Sequence, residues 1–411
     1  MMRSYLLFFL MVLLWLPSYG QKENQYWVFG HRPESGMDTT YIKNTMLDFS
    51  TLPPQAYRKE STIDLTLFNA SYCNPSSGEL LFLSNGFHIF DSTGNVIPGC
   101  DSINYGQTWE DKINFNSGYP SVSSGYFVPV SSDSIYFIYQ QVELHLVDTL
   151  RYHYTKYSLL VNENGNYSCK QNDVIICEGD FAPHNVVRHG NGIDWWLIVP
   201  HIRQNKFSKF LISSNGIQWN DDQFIGIDTT LGLGFELSNF SPDGSKYVYH
   251  NNHIGHQLFD FDRCTGQLNF NLYLQQSEYY FLGSSISFSP NSRYLYAPRY
   301  EAILQYDLYA ENIANSVDTV AVWDKHGTSF VGFTPNGFLQ CEIGPDGKLY
   351  LSPWYGNNCL SVINRPNLRG KACDVRQHGI VTPGQIIYGL PRYINYRLGV
   401  LKGSACDPDV E

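Results

Sequence analysis

Charge is scarce in this chain. Asp, Glu, Lys and Arg make up 16% of its 411 residues, no Lys/Arg run stands out, and the formal net charge is −11. That balance argues against nucleic acid or an anionic membrane surface as a main partner. Long amphipathic helices rich in Ala, Glu, Lys and Leu are missing, which excludes a helical class. There is no Gly-x-Ser-x-Gly elbow, no His-Glu-x-x-His and no phosphate-cradling Gly-x-x-x-x-Gly-Lys. No motif calls for a cofactor. The nine Cys include no Cys-x-x-Cys, which removes the usual signature of a zinc site. Apart from the N-terminus, no stretch is apolar enough to span a bilayer.

Aromatic residues fill the space that charge leaves. They make up 15% of the chain, with 30 Tyr, and aromatic and β-branched residues favour strands. The most informative feature is a phrase that recurs among them: Phe240-Ser241-Pro242-Asp243-Gly244 followed by Lys246-Tyr247-Val248-Tyr249. It returns as Phe288-Ser289-Pro290-Asn291-Ser292 and as Ile343-Gly344-Pro345-Asp346-Gly347, with a weaker copy at Cys73-Asn74-Pro75-Ser76-Ser77-Gly78. Pro presets φ, Asp or Asn bonds the backbone, and Gly accepts positive φ, so each phrase reads as a hairpin turn.

Two degenerate copies complete a series of six turns near Gly78, Ser132, Gly192, Gly244, Ser292 and Gly347, in steps of 54, 60, 52, 48 and 55 residues. Four short strands and their loops fill such a period, which predicts propeller blades. Strands at Tyr26–Gly30, Thr45–Phe49 and Leu390–Leu398 have no copy of their own, and an open ring would expose sheet edges. The expectation is an all-β, single-domain β-propeller of seven four-stranded blades closed by strands from both termini, with six or eight blades as alternatives. Its bounds are a signal peptide over 1–20, the propeller over 21–398 and a tail over 399–411.

The signal peptide reading rests on Arg3, the apolar run Tyr5 to Leu16 and the small residues Ser18-Tyr19-Gly20. The chain is expected to be exported (secreted, periplasmic or at the cell surface), with no integral membrane segment after cleavage. An exported chain should form disulfides; the candidates are Cys169, Cys177, Cys341, Cys359 and Cys373, with connectivity open and at least one thiol unpaired.

The turns resemble the TolB-type, WD40-like propeller repeat. Tyr26-Trp27-Val28-Phe29-Gly30, Val187 to Trp196, Val362-Ile363-Asn364-Arg365-Pro366-Asn367, Gly389-Leu390-Pro391-Arg392-Tyr393 and Asn395 to Asp407 more specifically resemble secreted propeller proteins of Bacteroidetes. Those proteins often continue into a C-terminal sorting domain for type IX secretion, which this sequence does not show. The resemblance implies no defined reaction. Asp-Ser/Thr-x sites such as Asp133-Ser134-Ile135 and Asp318-Thr319-Val320 look like the O-glycosylation signal of that group.

In a propeller, the loops joining second to third strands share one face. Here they carry His201, Arg203, His250, His253, Arg299, Tyr300, Trp354 and Tyr355, and aromatic and cationic side chains suit glycan or peptide recognition. The expected function is noncatalytic binding of a protein or glycan at this rim. The alternative is a propeller enzyme of lactonase, lyase or glycosidase type, to be recognised by carboxylates or His from several blades meeting at the channel. His250, His253 and His256 read as polar loop residues rather than a metal site, and Asp260 and Asp262 as a solvated strand end. Trp195 and Trp196 point to opposite faces and should both fill inter-blade space; Arg188 and His189 should bond within their own turn.

Overall fold

The computed structural model describes residues 22–30, 44–61, 63–113, 118–121, 125–144, 151–228, 236–251, 255–275, 285–325, 337–354, 357–386 and 389–410. The expected signal peptide lies outside them. Among them, no helix is long and apolar enough to cross a membrane.

All six predicted turns join the first two strands of a sheet. The blade at 236–275 shows why. Gly244 takes φ +71°, its N–H donates to Ser241 O at 2.8 Å, and Asp243 accepts from the Ser245 N–H at 3.0 Å. The next blade uses Asn291 and Ser292 instead, with Ser292 at φ +59° and the same bond back to Ser289 O. The local hydrogen bonds therefore survive the loss of both Asp and Gly. Aromatic strands follow each turn, and Tyr247, Tyr296 and Tyr350 are fully buried.

The result is seven antiparallel sheets, each a simple meander. Blade 1 covers 26–59, blade 2 70–91, blade 3 126–179, blade 4 185–224, blade 5 236–275, blade 6 287–322 and blade 7 338–386. Five blades have four strands; blades 1 and 2 have three among the described residues. The core is divided between the blades. Trp195 packs into the cluster of blades 2 to 4, and Trp196 into that of blades 4 and 5, so adjacent indoles fill opposite interfaces as the strand period requires.

Ring closure differs in form from the expected strand pairing. Residues 390–398 carry no strand. They still join the termini: Tyr393 stacks on Trp27 at 5.8 Å, and its hydroxyl donates to Tyr26 O at 3.1 Å. Blade 7 packs directly on blade 1 through Trp27, Leu47, Tyr350 and Leu360, with Leu390 of the C-terminal segment joining the same cluster. Side-chain bonds and ring packing replace a sheet ladder here.

The disulfide expectation holds for Cys169 alone. Cys169 pairs with Cys100, and Cys264 pairs with Cys406. Cys177, Cys341, Cys359 and Cys373 are free thiols, as is Cys73. Cys169 and Cys177 both lie on one long strand of blade 3, Asn166–Gly179, and a strand holds such residues apart, so they do not pair with each other.

Candidate functional site: the channel and its C-terminal thread

The C-terminal segment runs through the middle of the ring and bonds to blade after blade. Leu390 exchanges two hydrogen bonds with the Gln340 amide of blade 7, at 2.8 and 2.9 Å. Asn69, just before blade 2, donates to Gly389 O at 3.0 Å. The Tyr396 hydroxyl donates to Phe127 O of blade 3 at 2.8 Å, and its ring meets Trp195 of blade 4 at 6.1 Å. Asn395 donates to Pro242 O in the blade 5 turn. Beyond the channel, Arg263 donates to Gly399 O at 2.6 Å, Leu401 N–H donates to Gly190 O, and the Cys264–Cys406 bond ties the tail to blade 5.

Arg392 is the charged centre of this thread. It is 6% exposed. Its Nη2 donates to Ser238 O of blade 5 at 2.7 Å, and its Nε lies 3.3 Å from Glu342 of blade 7. One guanidinium thus bridges two blades that are not neighbours in the ring. Tyr126 packs within 6.0 Å of it, with its hydroxyl buried and without a hydrogen-bond partner.

A cavity of about 450 Å³ opens beside the thread. Tyr393 to Leu398 form one wall, and the turns at Pro242-Asp243, Pro290 and Gly344-Pro345 frame the mouth. Its polar lining includes Glu23, Asn185, Asn239, Glu342, Asn395 and Arg397. Strands in each blade are antiparallel, so this turn face is opposite the face that carries the second-to-third-strand loops. Asp243 belongs to its turn, and hydrogen bonds from Ser241 and Ser245 help hold its carboxyl below the usual range against the effect of burial.

Glu23 and Glu342 are different. Burial raises the pKa of each carboxyl above its ordinary value. Arg188 and Arg397 oppose the shift at Glu23, and Arg392 opposes it at Glu342. Glu23 is 3% exposed, and its Oε2 has no hydrogen-bond partner. A buried carboxyl oxygen left unpaired is costly in a folded chain, which makes the position unusual.

The predicted rim residues are mostly committed to the fold. His201 shares a 2.8 Å hydrogen bond with Ser208, and burial pushes its pKa down to about 4. Arg203 lies 3.8 Å from Asp180, on left-handed backbone at φ +62°. Arg299 and Tyr300 sit half-buried at the blade 6 connection, where Tyr300 meets the Trp323 ring at 6.1 Å. Trp354 is buried. His253 and Tyr355 lie outside the described residues. His250 and His256 are not polar loop residues: both are buried on facing strands of blade 5, their Nδ1 atoms 2.9 Å apart. A hairpin places residues six apart directly opposite each other, which brought the two rings together. Arg188 and His189 bond within their turn as expected, to Gly192 O and to the Asn191 N–H. Asp260 pairs with Lys246 at 2.7 Å. Among the described residues, no group of three or more His, Cys, Asp or Glu is arranged to hold a metal ion.

Sequence reasoning did not single out Glu23, Asn185, Asn239, Glu342 or Arg397. Each lies in a different part of the chain, and none stands in a recognisable spacing. For Asn185, Asn239 and Glu342 the one available signal was their place on the first strands of blades, where alternate side chains face the channel.

Burial also sets an acid response. It holds His184 near a pKa of about 3, with the Arg392 charge adding to the effect. The sign follows from linkage: below about 6.5 the unfolded chain protonates this imidazole while the fold does not. Stability should therefore fall as pH drops from about 6.5 towards 3, by about 1.4 kcal/mol per pH unit from this group. The raised carboxyls of Glu23 and Glu342 act with the opposite sign. Urea midpoints at pH 7 and pH 5 for the wild type and His184→Leu isolate the His184 contribution. The variant should lose distinctly less stability over that interval.

No known family model matches the chain, and no curated protein sequence matches it. Solved structures do. A candidate 6-phosphogluconolactonase of Bacteroides uniformis is similar at a TM-score of 0.50 and 14% identity, covering 90% of this chain and 100% of that one. The periplasmic gluconolactonase of Pseudomonas aeruginosa is similar at a TM-score of 0.50 and 14% identity, covering 89% and 98%. At this identity the likeness is one of fold.

Proposed function

We propose that this chain is an exported lactonase-type propeller hydrolase, acting on a small polyhydroxylated lactone in the channel cavity. The carrying observation is Glu23: a buried carboxyl with raised pKa and an unpaired oxygen, lining a cavity shared with a second such carboxyl, Glu342, from another part of the ring. Amides from Asn185, Asn239 and Asn395 line the same space; each donates one N–H to a backbone carbonyl, and the second N–H of each suits a hydroxyl group. The similar folds of two proteins described as lactonases agree with this choice, and the two disulfides agree with export.

In this mechanism Glu23 takes a proton from water as the oxygen attacks the ester carbonyl. The acyl C–O bond of the ring then breaks, and Glu23 returns the proton to the departing ring oxygen. The product is the open-chain hydroxy acid. A raised pKa places the carboxyl closer to the working pH, where one group serves both roles. Arg397 lines the same cavity and supplies positive charge for the carbonyl oxygen as it gains negative charge, while Glu342 stays paired with Arg392.

The test is hydrolysis of aldonic δ-lactones, read as proton release above the spontaneous rate. Glu23→Gln should lower turnover by about 10²–10⁴-fold, with Asn239→Ala raising KM more than it lowers kcat. If the wild type releases no proton above background but binds the sugar acid by calorimetry, catalysis is ruled out and the cavity is a binding site.

A further inference from the structure

Blade 7 carries a second arrangement of reactive groups, and none of its members lines the channel cavity. Cys359 Sγ lies 2.9 Å from His378 Nδ1, and His378 Nε2 lies 3.0 Å from Asp324 Oδ2. Cys359 is on the third strand of the blade, Asn357–Ile363, and His378 on the fourth, Val375–Ile386. Asp324 follows the last strand of blade 6.

The placement of His378 is specific. The strand pairing jumps from Leu360↔Ile380 to Val362↔Arg376, so the fourth strand bulges at residues 377–379. His378 takes left-handed backbone there, at φ +55°, and a bulge re-aims the side chain it carries. Gly379 lets the bulge close, since a Cβ would stand 2.9 Å from Val362 Cγ2. Gln377 then ties the bulge to blade 6 by accepting from the Asp324 N–H at 3.1 Å and donating to Val322 O at 2.8 Å. Asp324 accepts from Nε2–H, which leaves Nδ1 to accept from the thiol.

A small cleft of about 10 Å³ lies against these groups, lined by Trp323, Cys359, Gln377 and His378. That is room for about one water-sized molecule. The Trp323 indole N–H is buried there without an acceptor. Among the described residues, none of the other free thiols (Cys73, Cys177, Cys341 and Cys373) shows a bond to an imidazole.

We propose that Cys359 is a peroxide-reactive thiol, with His378 as its proton acceptor and Asp324 as the residue that orients His378. The sulfur attacks one oxygen of hydrogen peroxide and the O–O bond breaks. The thiol proton passes through His378 to the leaving hydroxide, which departs as water. Cys359 becomes a sulfenic acid, oxidised by two electrons, and the peroxide is reduced by two. A cleft this narrow favours a small oxidant over a bulky disulfide. Burial pushes the resting thiol up to about 11, so the proton must leave during the reaction and its acceptor sets the rate.

The experiment treats the whole protein with near-stoichiometric hydrogen peroxide and dimedone, and quantifies labelling of all five free cysteines by peptide mass spectrometry. Cys359 should label at least about ten-fold faster than each of the others, and His378→Asn should slow it by about ten-fold or more. Asn tolerates the left-handed backbone, and Asp324→Asn should give an intermediate rate. Equal labelling of the five thiols in the wild type overturns the proposal without recourse to any variant. So does a Cys359 rate unchanged in a folded His378→Asn protein.

Discussion

Replacing Arg392 by alanine is expected to cost about 3–5 kcal/mol of unfolding free energy. The guanidinium is buried in the channel, bonded to Ser238 O of blade 5 and paired with Glu342 of blade 7. Its loss leaves a carboxyl in a site where burial already disfavours charge. Urea denaturation gives the number directly, provided the slope with denaturant stays constant. Arg392→Lys should fall between wild type and alanine, because an ammonium lacks the planar fork that meets both partners. Arg392→Leu combined with Glu342→Leu should recover part of the loss, since an apolar pair leaves no uncompensated charge. A cost under about 1 kcal/mol for Arg392→Ala would show that Glu342 readily neutralises itself, and that the bridge adds little.

The second large effect concerns the bond that ties down the tail. Cys264 and Cys406 are 142 residues apart. Loop-closure entropy alone puts the stabilisation at about 5 kcal/mol, and removal of native disulfides commonly costs about 2–5 kcal/mol. Cys264→Ser with Cys406→Ser should fall in that range by chemical denaturation. The same variant should also weaken ligand binding in the channel, because the tail it frees continues directly from the wall at Tyr393 to Leu398. Removing the Cys100–Cys169 bond, with a separation of 69 residues, is the control. It should cost comparable stability and leave channel binding unchanged. Equal effects of both variants on binding would mean that global loosening, not the thread, controls the cavity.

Much of the fold was legible because hairpins are local. The six turns near Gly78, Ser132, Gly192, Gly244, Ser292 and Gly347 each carry their instructions within a few residues, and the structure has a strand pair at every one. Trp195 and Trp196 were readable for the same reason, because alternation along a strand needs no distant partner. The rim residues show the limit of such reading. Topology placed their loops on one face, yet it did not reveal that His250 would turn inward against His256 or that Trp354 would be buried.

The channel could not be read from sequence. Glu23 and Glu342 are 319 positions apart, and only ring closure puts them around one cavity. Leu390 to Leu398 looked like a strand because its composition is apolar and aromatic, but the same side chains can pack through a channel lined by other blades. Cys359, His378 and Asp324 likewise meet through a bulge and an inter-blade contact.

The sequence by itself determined the all-β class, the blade period and the turn chemistry, because these depend on backbone preferences and side-chain alternation over a few residues. The tertiary structure alone decided the course of the C-terminal thread, the disulfide partners and both clusters of reactive groups. Those depend on blade-to-blade contacts and on ring closure, which join residues well separated in sequence and which no local preference encodes.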